Sequence, residues 1–146
     1  MDTRRAREYL NKYRQALADI ERTNLLIDKL SAALEAQGID TTKEKIRFSN
    51  IDDRMADLAI ELIDAKEKLY AALDYAASQA IEVSETIGKI SNPKQREVLH
   101  LRYIAGAKWD DIAREVHHDR SWVFRLHDHA LEEVELLLRK GNRHGD

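Results

Sequence analysis

SNPKQREVLHLRYIAGAKWDDIAREVHHDRSWVFRLHDHALEEVELLL, residues 91–138, carries the punctuation of a helix-turn-helix. Asn92 stands where a helix N-cap belongs, with Pro93 at the first helical position and Gln95 at the third. That helix runs through Val98, Leu99 and Tyr103 toward Gly106, a residue suited to a C-terminal stop. A short second helix follows from Trp109 to about Val116, with Ile112, Ala113 and Val116 on its inner face. Asp119 is placed to cap a third helix, whose Val123, Leu126, Ala130, Leu131 and Val134 recur at helical spacing. Trihelical units of this kind present their last helix to a DNA major groove.

Upstream the apolar spacing changes. Leu10, Tyr13, Leu17, Ile20, Asn24, Ile27, Ser31 and Leu34 alternate at three and four residues, the seam of a coiled coil, and predict one helix from about Thr3 to Gln37. Asn24 occupies an a-type position, where it either fixes register and partner number or is tolerated on a partly exposed seam. Gln37-Gly38 ends this helix, and residues 38–53 form a polar connection with one apolar island, Ile46 and Phe48. A second helix is predicted from about Ile51 to Ile87, on a seam of Met55, Leu58, Leu62, Ala65, Leu69, Ala72, Ala76, Gln79, Val83, Thr86 and Ile90. Two such helices fold back most simply as an antiparallel hairpin. Ile60, Ile63, Tyr70, Leu73, Ile81 and Ile87 widen its apolar surface beyond one seam. That surface calls for a cover: a second copy, the chain's own helix-turn-helix, or another protein. The expected organisation is all-α. A helical hairpin for oligomerisation or packing spans 1–90, a DNA-binding helix-turn-helix spans 91–138, and a flexible tail spans 139–146.

Composition narrows the class. The 146 residues allow one or two small domains, and 35% charged residues with five Gly and one Pro suit a helical protein. Without cysteine there is no disulfide framework and no thiol or thiolate chemistry. The apolar runs are too short for a membrane span, and MDTRRAREYL lacks a signal-peptide core. The expectation is a soluble, cytoplasmic protein with no membrane partner. Net charge is −3, with 14 Lys+Arg against 17 Asp+Glu in residues 1–90 and ten of each in 91–146. Any DNA-binding surface must therefore come from local placement of charge. All six histidines lie in the second part, which their protonation makes mildly basic below neutral pH.

From Pro93 to Leu131 the chain resembles region 4 of bacterial sigma factors. The residues that carry this are Arg96 to Tyr103, Trp109 to Ala113, and Arg120 to Leu131. Over nearly the whole chain it is similar to a narrower group, the sigma-region-4-like regulators of Gram-positive phages and prophages, which resemble the ArpU and RinA late-gene regulators. Leu101-Arg102-Tyr103, Gly106, Trp109 to Ala113, Val123, Arg125-Leu126-His127 and Ala130-Leu131 carry that likeness.

The resemblance implies transcriptional regulation by sequence-specific binding of double-stranded DNA, with RNA polymerase a further candidate partner. It places base contacts at Arg120, Ser121, Phe124 and Arg125, in the exposed first turns of the last helix. Arg pairs bidentately with guanine and Phe touches a thymine methyl, although sigma factors often carry a charged residue where Phe124 stands. Lys108 replaces the usual Thr or Ser cap and lies where a phosphate would dock; His129, Arg96 and Lys94 are further candidate phosphate contacts. Trp109 reads as a core anchor, His127 as a packing residue or one bonded to backbone, and Trp122 as DNA-facing, packed or polymerase-binding.

Other chemistries find less support. Glu97-x-x-His100 and Glu115-x-x-His118 have the spacing of carboxylate-bridged di-metal bundles, but those need inward carboxylates from two more helices. Asp57, Glu61 and Asp64, near Lys66 and Lys68, read as a solvated face. There is no phosphate-cradling Gly-rich loop and no nucleophilic Ser motif, so the chain is expected to be no enzyme and to need no metal or cofactor. The rival class is a coiled-coil interaction module whose helix-turn-helix binds protein, polymerase included, and the charge balance of residues 91–146 favours it.

Overall fold

The computed structural model describes residues 1–42 and 52–144. The expected Ile46 and Phe48 island lies outside them. Among the described residues there are six helices: α1 (Arg4–Leu10), α2 (Lys12–Glu35), α3 (Asp53–Gly88), α4 (Pro93–Tyr103), α5 (Trp109–Glu115) and α6 (Arg120–His144). The fold is all-α, with no strand among the described residues. None of their helices is long and apolar enough to cross a membrane.

The single helix expected over 3–37 is interrupted at Asn11, whose backbone sits at φ −78°, ψ −7°. The interruption is one residue wide: Asn11 N–H still reaches Arg7 O at 3.0 Å, and Gln15 N–H reaches Asn11 O at 2.9 Å. Asn favours local turn geometry over helix, which accounts for its place at the break.

The chain forms two compact units, one of residues 1–15 and 76–146, the other of residues 16–75. This differs from a division at residue 90, and the packing gives the reason. Ala6 and Leu10 of α1, with Val83 and Ile87 of α3, are buried in one cluster with Ile90, Leu99, Tyr103, Ala130, Leu131 and Val134. Tyr9 secures the same contact, its hydroxyl 2.8 Å from Thr86 Oγ1. The ends of the hairpin helices therefore complete the core of the helix-turn-helix. In residues 16–75, Leu30 and Leu34 of α2 pack with Ala59, Leu62 and Ala65 of α3, flanked by Ile27, Ile39, Met55 and Leu58. Gly38, at φ +80°, turns the chain out of α2. Lys66 Nζ donates to Thr41 O at 3.0 Å, and Asp52 Oδ1 accepts from Met55 N–H at 2.8 Å as α3 begins.

Every position of the α3 seam from Met55 to Ile90 is buried or half-buried. The α2 seam is less complete, since Leu17 and Asn24 are exposed. Of the apolar residues outside the seam, Ile87 enters the core, whereas Ile60, Ile63, Tyr70, Leu73 and Ile81 stay exposed.

The helix-turn-helix is built by its caps. Asn92 Oδ1 accepts from Lys94 N–H at 2.9 Å and Gln95 N–H at 3.1 Å, and Pro93 opens α4. Gly106 takes the left-handed conformation at φ +72°, and Ala107 N–H closes back on Leu101 O at 2.9 Å. Asp119 Oδ1 caps α6 through Trp122 N–H at 2.8 Å. Val98, Ile112, Ala113, Val116 and Val123 form the buried core of the motif. α6 then continues to His144, through most of the tail expected to fray.

The turn between α5 and α6 stores strain. His117 has φ +58°, a conformation that costs an L-residue about 1–2 kcal/mol, and its side chain is exposed. His117→Gly relieves that strain against about 0.4–1 kcal/mol of added unfolded-state entropy, so it should raise the urea midpoint at unchanged slope by a net stabilisation of up to about 1 kcal/mol. An unchanged or lower midpoint would show that the imidazole makes a compensating contact.

Candidate nucleic-acid interface

α6 begins directly after the strained turn, and its periodicity sorts its residues. Val123, His127, Ala130 and Leu131 face inward, whereas Ser121, Arg125, Asp128, His129 and Glu132 are exposed. Ser121, Arg125 and His129 are spaced by four, so they form one stripe along the exposed face. Asp128 and Glu132 lie beside that stripe and lower its positive potential.

Arg120, at the first position of α6, bridges to α5. Its Nε lies 3.2 Å from Asp110 Oδ1 and its guanidinium stands 5.5 Å from the centre of the Phe124 ring. The side chain is 58% exposed, so the pair is a surface ion pair that a better acceptor can displace at small cost. Phe124 is half-buried, its ring packed edgewise on Trp109 with centroids 5.1 Å apart. Only part of that ring is left to meet a base.

The other expected residues are placed unevenly. Lys108 is exposed at the N-cap position of α5 and makes no side-chain cap. Lys94 is exposed in the first turn of α4. Arg96 is engaged elsewhere: its Nη1 donates to Ile90 O at 2.7 Å and Ser91 O at 3.1 Å. Those carbonyls, in the connection between α3 and α4, hold the guanidinium at the α3–α4 joint. Trp122 is half-buried and stacks on His118 at 3.5 Å. Trp109 is also half-buried, with the Arg102 guanidinium 4.5 Å above its ring and His127 against its edge.

His127, like Glu135 further along α6, is taken into the packing. Its Nε2 is 2.6 Å from the Tyr103 hydroxyl. Burial pushes the imidazole from 6.5 to about 4, with Asp128 pulling the other way and Arg7 and Arg102 adding to the depression. A neutral ring that accepts at Nε2 from Tyr103 carries its proton on Nδ1, which faces Asp128 Oδ1 at 3.8 Å. The bond is thus to a side chain, where backbone was one of the expectations.

A family model described as a protein of unknown function, DUF1492, matches residues 38–135. The chain belongs to this family. The match takes in α3, α4, α5 and α6 as far as Glu135, and leaves α1 and α2 outside it. No curated protein and no solved structure matched.

Within this DUF1492 chain, one group of residues near the motif went unnoticed in the sequence. Arg7, Asn11 and Arg14 line a cleft with Arg102, Tyr103, Trp109, Phe124, His127 and Asp128. The signal was present in part: positions 7, 11 and 14 share one helical face. Nothing in the spacing tied that face to Arg102 or to α6.

Proposed function

We propose that the chain is a transcriptional regulator of phage or prophage genes, of the sigma-region-4-like kind, acting by sequence-specific binding of duplex DNA. The observation that supports this best is the capped α6, which presents Ser121, Arg125 and His129 on one exposed stripe with a displaceable Arg120 beside it. Arg120 and Arg125 are the base readers in this account, Ser121 and the free part of Phe124 assist them, and Lys108, His129 and Lys94 meet phosphates. The exposed Ile60, Ile63, Tyr70 and Leu73 of residues 16–75 form the self-association surface of the same proposal, which brings two reading helices to one site.

One observation favours the rival reading, an interaction module with RNA polymerase or another protein as partner. Residues 108–132 hold six Asp and Glu against four Lys and Arg. Sedimentation of the protein with a labelled mixed-sequence duplex at two salt concentrations separates the two. The regulator reading expects self-association of the free protein and a duplex complex. With those three phosphate contacts, its affinity falls roughly fortyfold between about 50 and 200 mM salt. A free duplex at low salt, or a protein that stays monomeric at high concentration, counts against the corresponding half of the proposal.

A further inference from the structure

The cleft beside α6 holds more positive charge than its neighbours balance. Arg7 of α1 and Arg14 of α2 come to it from the N-terminal segment, Arg102 from the end of α4, and Asn11 from the break between α1 and α2. Its volume is about 360 Å³. Arg102 is the fixed member: its Nη1 donates to Ala107 O at 3.0 Å and its guanidinium stands over the Trp109 ring, 4.5 Å from its centre. Burial, and then the nearby charge of Arg14, lower the pKa of Arg102, while all three arginines act on the buried Tyr103 hydroxyl. Among the described residues, no carboxylate comes within ion-pair distance of Arg7, Arg14 or Arg102. Of the described residues that line the cleft, Asp128 alone is acidic.

We propose that this cleft binds a phosphate group, with Arg102 as a pre-positioned donor and Arg7, Arg14 and Asn11 closing on it from the N-terminal segment. Three planar guanidinium forks ask for more acceptor oxygens than one carboxylate offers, and a phosphate supplies them with up to two negative charges. The group recognised is the phosphate itself. Trp109 is half-buried, with Arg102 over its ring and the Phe124 and His127 rings packed against it at steep angles, so little of its surface is left on which to stack a base. The phosphate belongs either to the backbone of a duplex held by α6 or to a small phosphorylated compound. Only the first source rests on the regulator reading.

The test uses the full chain in a Trp122→Phe background, so that emission reports Trp109. Titration with inorganic phosphate and pyrophosphate should give a saturable change that chloride at equal ionic strength does not. Affinity should fall about tenfold or more in Arg7→Ala/Arg14→Ala, and rise in Asp128→Asn, which removes the opposing charge. Arg7 is exposed and Arg14 half-exposed, and alanine suits a helix, so the double variant should keep its circular dichroism. In parallel, the salt dependence of mixed-duplex binding is measured for both proteins. A slope shallower by about one in the double variant assigns the phosphate to the DNA backbone. Equal slopes with a lost phosphate response assign it to a small compound. No response to either anion together with equal slopes overturns the proposal. A protein that binds no duplex refutes the regulator reading, and the anion titration alone then decides the cleft.

Discussion

With Arg120 and Arg125 both replaced by alanine, the protein should keep its helical content and lose its preference among duplex sequences. Each bidentate arginine–guanine pair discriminates against the wrong base by about 1–3 kcal/mol, so removing two flattens the preference by one to several powers of ten. The fold should hold because Arg125 is exposed and makes no ion pair among the described residues, while Arg120 gives up one surface contact to Asp110. Such a contact is worth about 1 kcal/mol or less. Residual, salt-sensitive binding through the phosphate contacts should remain. Competition between a selected duplex and a scrambled one, with circular dichroism of the variant, checks both halves. Unchanged preference, or loss of helicity, would remove these two residues from the reading role.

Acid should unfold the protein through His127. The imidazole is neutral in the folded chain down to about pH 4 and titrates near 6.5 once exposed. Between those values the unfolded chain binds the extra proton, so stability falls as pH falls. The preference for the folded state is fully present above about pH 6.5 and is withdrawn as pH drops toward 4. At 1.36 kcal/mol per pKa unit, the whole window is worth about 3 kcal/mol. Other groups titrate there too, and a paired variant isolates this one. His127→Phe alone leaves the Tyr103 hydroxyl buried without its partner and should cost about 1–3 kcal/mol. His127→Phe/Tyr103→Phe removes both partners, so it should recover much of that loss and show a shallower pH dependence than the parent. Urea midpoints from pH 7 to 4.5 give the comparison. Parallel curves for parent and double variant would mean that His127 does not govern the acid limb.

The sequence carried those parts of the fold that are written in local periodicity and caps. The α3 seam from Met55 to Ile90 is covered at every position, and Asn92, Pro93 and Asp119 open α4 and α6 where their chemistry placed them. Periodicity tells which face of a helix is apolar, but not which element covers it. For that reason the union of Ala6, Leu10, Val83 and Ile87 with Leu99 and Leu131 was not visible, and the compact units divide elsewhere than residue 90. Asn24 shows the converse, a position that fits the seam spacing and is nevertheless exposed.

The site was legible to a similar depth. α6 and its exposed stripe follow from the cap and the 3.6-residue period. Whether a cation is free does not follow from either. Arg96 turned out to serve the α3–α4 joint, and Arg120 to rest on Asp110, because those partners are set by tertiary placement. The cleft of Arg7, Arg14 and Arg102 lay beyond sequence reasoning for the same cause, its members being far apart along the chain.

The measurement that bears most directly on the central claim is selection of bound duplexes from a random DNA pool at low and at moderate salt, with the Arg120→Ala/Arg125→Ala variant alongside. The account predicts an enriched motif for the parent protein that the variant does not enrich, with two-fold symmetry if two copies bind together. No enrichment at either salt would contradict a sequence-reading role and leave the protein-binding reading in its place.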